Sequence, residues 1–300
     1  MKQSSLLWTG SLMAAFGIVV VALVLNRSSL SEPRVDPKEL WKTLPDATET
    51  DDKIRLSVKK LFESNEYEQI KAARSLAKMG PAAKSAVPAL ILALESQHPL
   101  EIYYGGSLTP WDGVPPAARD ALAAIGREAV PACQVAMKSR DPLTRVLAAS
   151  ALWKIEKQAN LVTPLLFTAL YDAQSHQGDD RIRIEAIHAL AQIGIEQPEA
   201  VLPRLLEDFV NPRDNVFEFA AEVMQGMGSA AKGAIPVLIA TVRKNRDRIP
   251  ISNNSVTDRT RWAGLVLRQI GDDAVPAIVS LVEDDDPTIR HWGVWMLMSK

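Results

Sequence analysis

The sequence predicts an all-α protein: a right-handed α-solenoid, or superhelix, of about six two-helix repeats plus a terminal capping helix, preceded by one transmembrane helix. Three observations predict it. An apolar stripe recurs six times at helical spacing. A proline recurs at intervals of 33 to 43 residues, which is the range of two-helix solenoid repeats. The apolar–polar alternation of β-strands is scarce outside the N-terminal apolar run.

The apolar stripe belongs to the first helix of each repeat and is closed by a glycine in five of six units, with Glu156 in the remaining one. The glycines are Gly80, Gly126, Gly194, Gly228 and Gly271. Eight residues before these six closing positions stand Ala72, Ala118, Ala148, Ala186, Ala220 and Ala263. Four residues before them stand Leu76, Leu122, Leu152, Leu190, Met224 and Leu267. Alanine lets a neighbouring helix approach closely, and glycine is the usual residue just past a helix end, so these residues are the predicted repeat core.

The second helix of each repeat is marked by a proline, which is favoured in a first helical turn because its missing N–H is no loss there. These prolines are Pro88, Pro131, Pro164, Pro203, Pro236 and Pro276. An apolar residue follows two positions later: Leu90, Cys133, Leu166, Leu205, Leu238 and Ile278. Each unit is therefore predicted as a helix, a short turn and a helix that starts with proline.

Units such as DPLTRVLAASALWKIEKQANLVTPLL and RWAGLVLRQIGDDAVPAIVSLVEDDDP resemble HEAT repeats. They are most similar to the HEAT-like repeats of phycobilisome-lyase type, which are armadillo-like helical repeats. The resemblance covers about residues 66–300, with Asp52–Ser64 expected as a leading cap helix. The last stretch, PTIRHWGVWMLMSK, resembles the first helix of a seventh unit. The resemblance implies a solenoid, taken as residues 51–300, whose concave face is lined by the second helices.

The N-terminus predicts a membrane anchor. Residues 6–25 carry no charge, and a helix of that length spans about 30 Å, the thickness of a bilayer core. Lys2, in the short tail 1–5, favours a cytoplasmic N-terminus and an extracytoplasmic solenoid, on the periplasmic or cell-surface side. Signal cleavage and secretion form the alternative. Residues 26–50 are typical of a linker, with a short helical turn expected at Lys38–Leu44.

Long inserts are expected to crowd one edge of the solenoid, because each joins a second helix to the next first helix. They lie near residues 97–116, 172–183 and 245–261. The first insert contains Tyr103, Tyr104 and Trp111, which either pack on adjacent helices or bind a partner, since Tyr and Trp are enriched at binding hot spots. The third contains Arg246 and Arg248, which are either solvated or face an anionic partner.

Composition disfavours several other functions. The net charge of −2 and a pI near 6.1 do not suit nucleic-acid binding, which normally uses a basic face. The lone Cys133 excludes an intramolecular disulfide and a cysteine-based zinc cluster. No two of the four histidines lie three or four residues apart. We therefore expect no catalytic residue, no metal ligand and no cofactor.

The sequence favours a non-catalytic, membrane-anchored scaffold that binds a protein or peptide partner through the concave face and the edge inserts. Solenoids offer long surfaces suited to such partners. The alternative is a HEAT-like lyase-type enzyme acting on bilins, or another ligand-binding or processing protein, and it is implied only by the name of the repeat type. Nucleic-acid binding, which some HEAT-like glycosylases show, is disfavoured by the charge and by the expected location.

Overall fold

The computed structural model describes residues 36–95, 113–172, 180–211, 216–244 and 259–298. Within these ranges every regular element is a helix, which confirms the all-α prediction. The chain forms two compact units, the first ending at Gln158 and the second beginning at Ala159.

In the first unit, first helices pack on first helices, and each second helix packs on the first helix that follows it. Its helices are α1 Glu49–Glu63, α2 Glu66–Met79, α3 Val87–Leu94, α4 Val114–Ile125, α5 Val130–Ala136 and α6 Pro142–Glu156. Short 3-10 helices occupy Pro37–Thr43, Gly80–Ala86 and Gly126–Ala129. Helix α2 packs on α4 and α4 packs on α6, while α3 contacts α4, α5 and α6. First helices of successive repeats are therefore neighbours within this unit.

The second unit follows the same pattern. Its helices are α7 Ala159–Asp172, α8 Asp180–Glu196, α9 Leu202–Val210, α10 Val216–Met227, α11 Ile235–Lys244, α12 Arg259–Ile270, α13 Val275–Val282 and α14 Pro287–Met298. Its 3-10 helices are Pro198–Ala200, Gly228–Ala234 and Gly271–Ala274. Helices α8, α10, α12 and α14 pack one after another, and α9, α11 and α13 each contact the following first helix. The second helices α11 and α13 also contact each other.

The alanine and leucine positions of the predicted repeat core are all buried, with at most 4% of each residue exposed. They are Ala72, Ala118, Ala148, Ala186, Ala220, Ala263, Leu76, Leu122, Leu152, Leu190 and Leu267. Small and large side chains thus alternate by one helical turn along each first helix, which lets the next first helix approach over the alanine while the leucine fills the core.

Four of the five predicted helix-ending glycines have a positive φ, between 56° and 81°: Gly80, Gly126, Gly228 and Gly271. The prediction for Gly194 is wrong, because α8 continues through it to Glu196. A Cβ on Gly194 would lie 2.6 Å from the sulfur of Met227 on α10. Gly194 therefore lies in a close helix–helix contact and not in a turn.

The third repeat differs from the pattern at two positions. Its first helix ends at Glu156, and Lys157 adopts a left-handed conformation (φ 55°, ψ 25°) without being glycine. Its proline, Pro164, was predicted to start the second helix but lies inside α7, which begins at Ala159. Pro164 removes the N–H that would otherwise bond to the Asn160 carbonyl.

The membrane localisation predicted from the sequence requires correction. In the ranges that the structure describes, no helix has both the length and the apolar composition that crossing a bilayer requires. This finding contradicts the predicted membrane localisation. The segment 6–25, on which it was based, lies outside the described residues.

Candidate functional site

The second helices of the second unit, α7, α9, α11 and α13, bury one face and expose the other. Their buried faces contain Leu166, Leu205, Leu238 and Ile278, the apolar positions that follow each proline. Large apolar side chains remain exposed on the other face: Leu161 on α7 and Val279 on α13, with exposed fractions of 45% and 37%. Val210, at the end of α9, is also exposed. We refer to these outward faces as the second-helix surface.

An arginine on this surface is held by a buried carboxylate. The Arg204 Nε atom donates to the two Asp208 carboxylate oxygens at 3.1 and 3.0 Å. The Tyr171 hydroxyl, from α7, donates to the same carboxylate. The guanidinium carbon lies 5.9 Å from the centre of the Tyr171 ring, within the range of a cation–π contact. The carboxylate thus joins α7 to α9 and fixes the arginine between them.

Burial and charge explain the protonation states of this cluster. Only 4% of the Asp208 side chain is exposed, whereas 53% of the Arg204 side chain is exposed. Burial raises the pKa of Tyr171, and its hydrogen bond to the Asp208 carboxylate raises it further. The hydrogen bond to Asp208 also raises the pKa of Arg204. Tyr171 therefore stays a neutral donor and Arg204 stays a cation at neutral pH.

A second arginine is held in a similar way on the next second helix. The Arg243 Nε atom, at the end of α11, lies 3.2 Å from a carboxylate oxygen of Asp284. Its Nη2 atom donates to the Ser280 hydroxyl of α13 at 3.4 Å. Almost half of the Arg243 side chain is exposed. Two successive second helices therefore each present a guanidinium that is held at its Nε atom.

A different charge cluster lies between the first helices α8 and α10. Arg183 bridges Asp180 and Glu222, with both N–O distances equal to 3.2 Å. Burial raises the pKa of Glu222 in spite of Arg183, and burial also raises the pKa of Glu218 one turn earlier. This cluster links two packed helices and does not lie on the second-helix surface.

Among the described residues no group of three or more His, Cys, Asp or Glu side chains could hold a metal ion. Cys133 is buried in α5, and burial raises the pKa of its thiol to about 12. A thiol in that state has almost no thiolate at neutral pH and is a poor nucleophile.

The five partner-binding residues predicted from the sequence, Tyr103, Tyr104, Trp111, Arg246 and Arg248, lie outside the described residues. So do most of the three predicted inserts. Sequence reasoning did not identify Tyr171, Arg204 and Asp208. The one signal for this cluster was the four-residue spacing between Arg204 and Asp208, which puts the two side chains on one helix face.

Comparisons with known proteins do not place the chain in a family. No family model and no curated protein matches it. The crystal structure of an engineered protein is 19% identical to the chain, covering 95% of this chain and 78% of that one, with a TM-score of 0.33. At that TM-score the likeness carries no argument about fold or function.

Proposed function

We propose that this protein is a non-catalytic scaffold, an α-solenoid of HEAT-type repeats, that binds a protein or peptide partner through its second-helix surface. The packing of first helices one after another within each unit supports the repeat assignment. In a solenoid of this type the second helices line the concave face, which is the usual binding surface.

The observation that carries the proposal is the composition of the second-helix surface. Exposed Leu161, Val210 and Val279 lie on the same set of helices as the held guanidiniums of Arg204 and Arg243. The presence of exposed apolar side chains and oriented polar groups on one set of helices supports a protein-binding surface, where apolar contacts provide affinity and polar contacts provide specificity.

The second helix of the first repeat has no comparable surface. Seven of the eight residues of α3, from Val87 to Leu94, are buried. The 3-10 helix Pro37–Thr43 contacts α3 and buries Leu40. The proposed binding surface therefore does not include α3.

Site-specific photo-crosslinking in a lysate of the source cells tests this proposal. A photoreactive phenylalanine analogue replaces Leu161 on α7 or Val279 on α13, and, as the matched control, Ile195 near the end of the first helix α8. Ile195 and Leu161 are equally exposed, at 45%, so simple accessibility cannot explain a difference between them.

We expect the same partner to be crosslinked from positions 161 and 279 and not from position 195. Crosslinking of equal yield from all three positions, or from position 195 alone, would contradict the proposed surface. Absence of any crosslinked protein at positions 161 and 279 would contradict the scaffold function itself.

A further inference from the structure

We infer that the 3-10 helix Pro37–Thr43 is a displaceable strap that occupies a second peptide-binding surface, formed by α1 and α3. A partner segment of the same chemistry, an aliphatic side chain followed by tryptophan, takes its place. We refer to Pro37–Thr43 as the strap. The proposed function does not include α3, so the two proposals stand or fall separately.

The strap lies on two helices that hold equivalent positions in the first unit. Helix α1 packs on the first helix α2, just as the second helix α3 packs on α4. The strap contacts both α1 and α3. It therefore lies on helices of the same kind as those that form the second-helix surface, which is the surface proposed to bind a partner.

The apolar side of this contact is Leu40, which is only 4% exposed. Every residue of α3 is apolar, from Val87 to Leu94, and seven of the eight are buried. A helix that is apolar on all sides has to be covered from water, and the strap contributes to that cover. A segment that replaces the strap therefore needs an aliphatic side chain in the place of Leu40.

The polar side of the contact selects tryptophan. The Lys59 Nζ atom lies 4.9 Å from the centre of the Trp41 ring, and the Arg55 guanidinium carbon lies 5.7 Å from it, both within the range of a cation–π contact. The indole Nε1–H donates to a Glu63 carboxylate oxygen at 3.3 Å. These three side chains follow each other at four-residue spacing on one face of α1. Only tryptophan combines an aromatic face with an N–H that acts purely as a donor.

A small set of contacts holds the strap. Leu40 is its buried side chain, and Trp41 is half-buried. The side chains that contact Trp41 from α1 are partly exposed, 45% for Lys59 and 36% for Glu63, so water screens their charges. These contacts are opposed by the conformational entropy lost at each of the seven residues of the strap. The strap is therefore held weakly enough for a partner segment to replace it.

A fluorescein-labelled peptide of residues 35–45, VDPKELWKTLP, tests this surface by fluorescence polarisation. Its affinity is measured for the parent full chain and for the strap variant Leu40→Ala/Trp41→Ala, whose own strap no longer competes. We expect at least tenfold tighter binding to the strap variant, because a tethered competitor has a high effective concentration. A peptide in which alanine replaces the tryptophan should bind the strap variant more weakly than the original peptide.

Two neighbouring lysines on α1 provide the matched control. Lys59 contacts the Trp41 ring, whereas Lys60 is paired with Glu68, and their side chains are 45% and 46% exposed. Added to the strap variant, Lys59→Ala should weaken peptide binding about two- to fivefold, as for the loss of one cation–π contact. Lys60→Ala should leave peptide binding unchanged.

Urea unfolding separates a displaceable strap from an integral part of the fold. The strap variant should lower the midpoint of the first unit by about 0.2 M or less, since a weakly docked segment adds little to the free energy of unfolding. Leu61→Ala, which truncates a leucine of α1 that is 2% exposed, should lower it by about 0.5 M or more.

Three results would overturn the inferred surface. A midpoint for the strap variant as low as that of Leu61→Ala would make the strap an integral part of the fold. Equal or absent peptide binding in the parent and the strap variant would show that the strap covers no peptide site. Equal effects of Lys59→Ala and Lys60→Ala would place the peptide elsewhere. Crosslinking from positions 161 and 279 is unaffected by any of these results.

Discussion

Replacing Gly126 with alanine measures the free-energy cost of placing a side chain at the turn that ends α4. Gly126 has φ 80° and ψ −140°, close to a region that is essentially restricted to glycine. A Cβ there would meet no heavy atom within 4 Å, so packing does not contribute. Forcing a side chain into such a conformation costs about 1–3 kcal/mol. The lower entropy of the unfolded chain offsets about 0.4–1 kcal/mol of that, which leaves a net destabilisation of about 1–2 kcal/mol.

Urea unfolding of the full chain, followed by far-UV circular dichroism, measures this effect. With a slope of about 1–3 kcal/mol per M, the midpoint of the first unit's transition should fall by about 0.5–1 M. The matched control is Lys157→Gly, which places glycine at the one described left-handed position that lacks it. That variant relieves the left-handed backbone conformation but loses the contact of Lys157 Nζ with the Trp153 ring, so its stability should change by less than about 1 kcal/mol. An unchanged midpoint for Gly126→Ala, or a Lys157→Gly variant that is destabilised as much as Gly126→Ala, would refute the assignment of these turns.

Three further predictions follow from packing, burial and pKa. Gly194→Ala should destabilise the second unit by about 1–3 kcal/mol through overpacking against Met227, as measured by urea unfolding. The same substitution made in a Met227→Ala variant should cost much less, because the two residues are in contact. Burial raises the pKa of Glu222 in the folded state, so the folded state favours the protonated carboxyl group. Its contribution to the free energy of unfolding is therefore complete below the unfolded pKa and is lost as the pH rises through the folded pKa. Glu222→Gln should therefore gain stability relative to the parent as the pH rises above 4.5, the ordinary pKa of glutamate. A stability difference in urea unfolding that does not change with pH would contradict this. Cys133, the only thiol, should resist alkylation by iodoacetamide at pH 8 until urea unfolds the chain. Mass spectrometry measures the alkylation, and rapid alkylation of the native protein would show that the thiol is not buried.

Sequence reasoning succeeded where one physical requirement determines the residue. The spacing of Ala118 and Leu122 is dictated by the helical period and by the need to bury one face, so the helices could be predicted from the pattern. The turn glycines, such as Gly126, could be predicted because no other residue adopts their backbone conformation easily.

The failures arose where one residue type serves two physical purposes. Glycine permits both a positive φ and a close helix contact, and the sequence did not show that Gly194 serves the second. Proline is tolerated best in a first turn, but the packing of α7 extends the helix upstream of Pro164 and outweighs the loss of one hydrogen bond. The membrane prediction rested on apolar length in 6–25 alone, and no helix in the described part of the chain meets the requirements of a membrane span.

The candidate site could not be predicted from the sequence because it depends on tertiary contact. Tyr171 and Asp208 are 37 residues apart and meet only when α7 and α9 pack together. An aspartate in a helix is usually exposed, so the burial of Asp208 carries no signal in the sequence. Its place beside Arg204 on one face of α9 was the only clue available before the helices were assembled.

The affinity of the purified partner for charge-introducing variants tests the central claim, partner binding through the second-helix surface, most directly. Leu161→Glu and Val279→Glu place a carboxylate on that surface, and Ile195→Glu places one on a first helix at a position as exposed as Leu161. Exposed substitutions of this kind usually change stability by less than about 0.5 kcal/mol, so the affinities are comparable between variants. We predict at least tenfold weaker binding for the first two variants and unchanged binding for Ile195→Glu. Equal affinities for all three variants, or a loss confined to Ile195→Glu, would contradict the account.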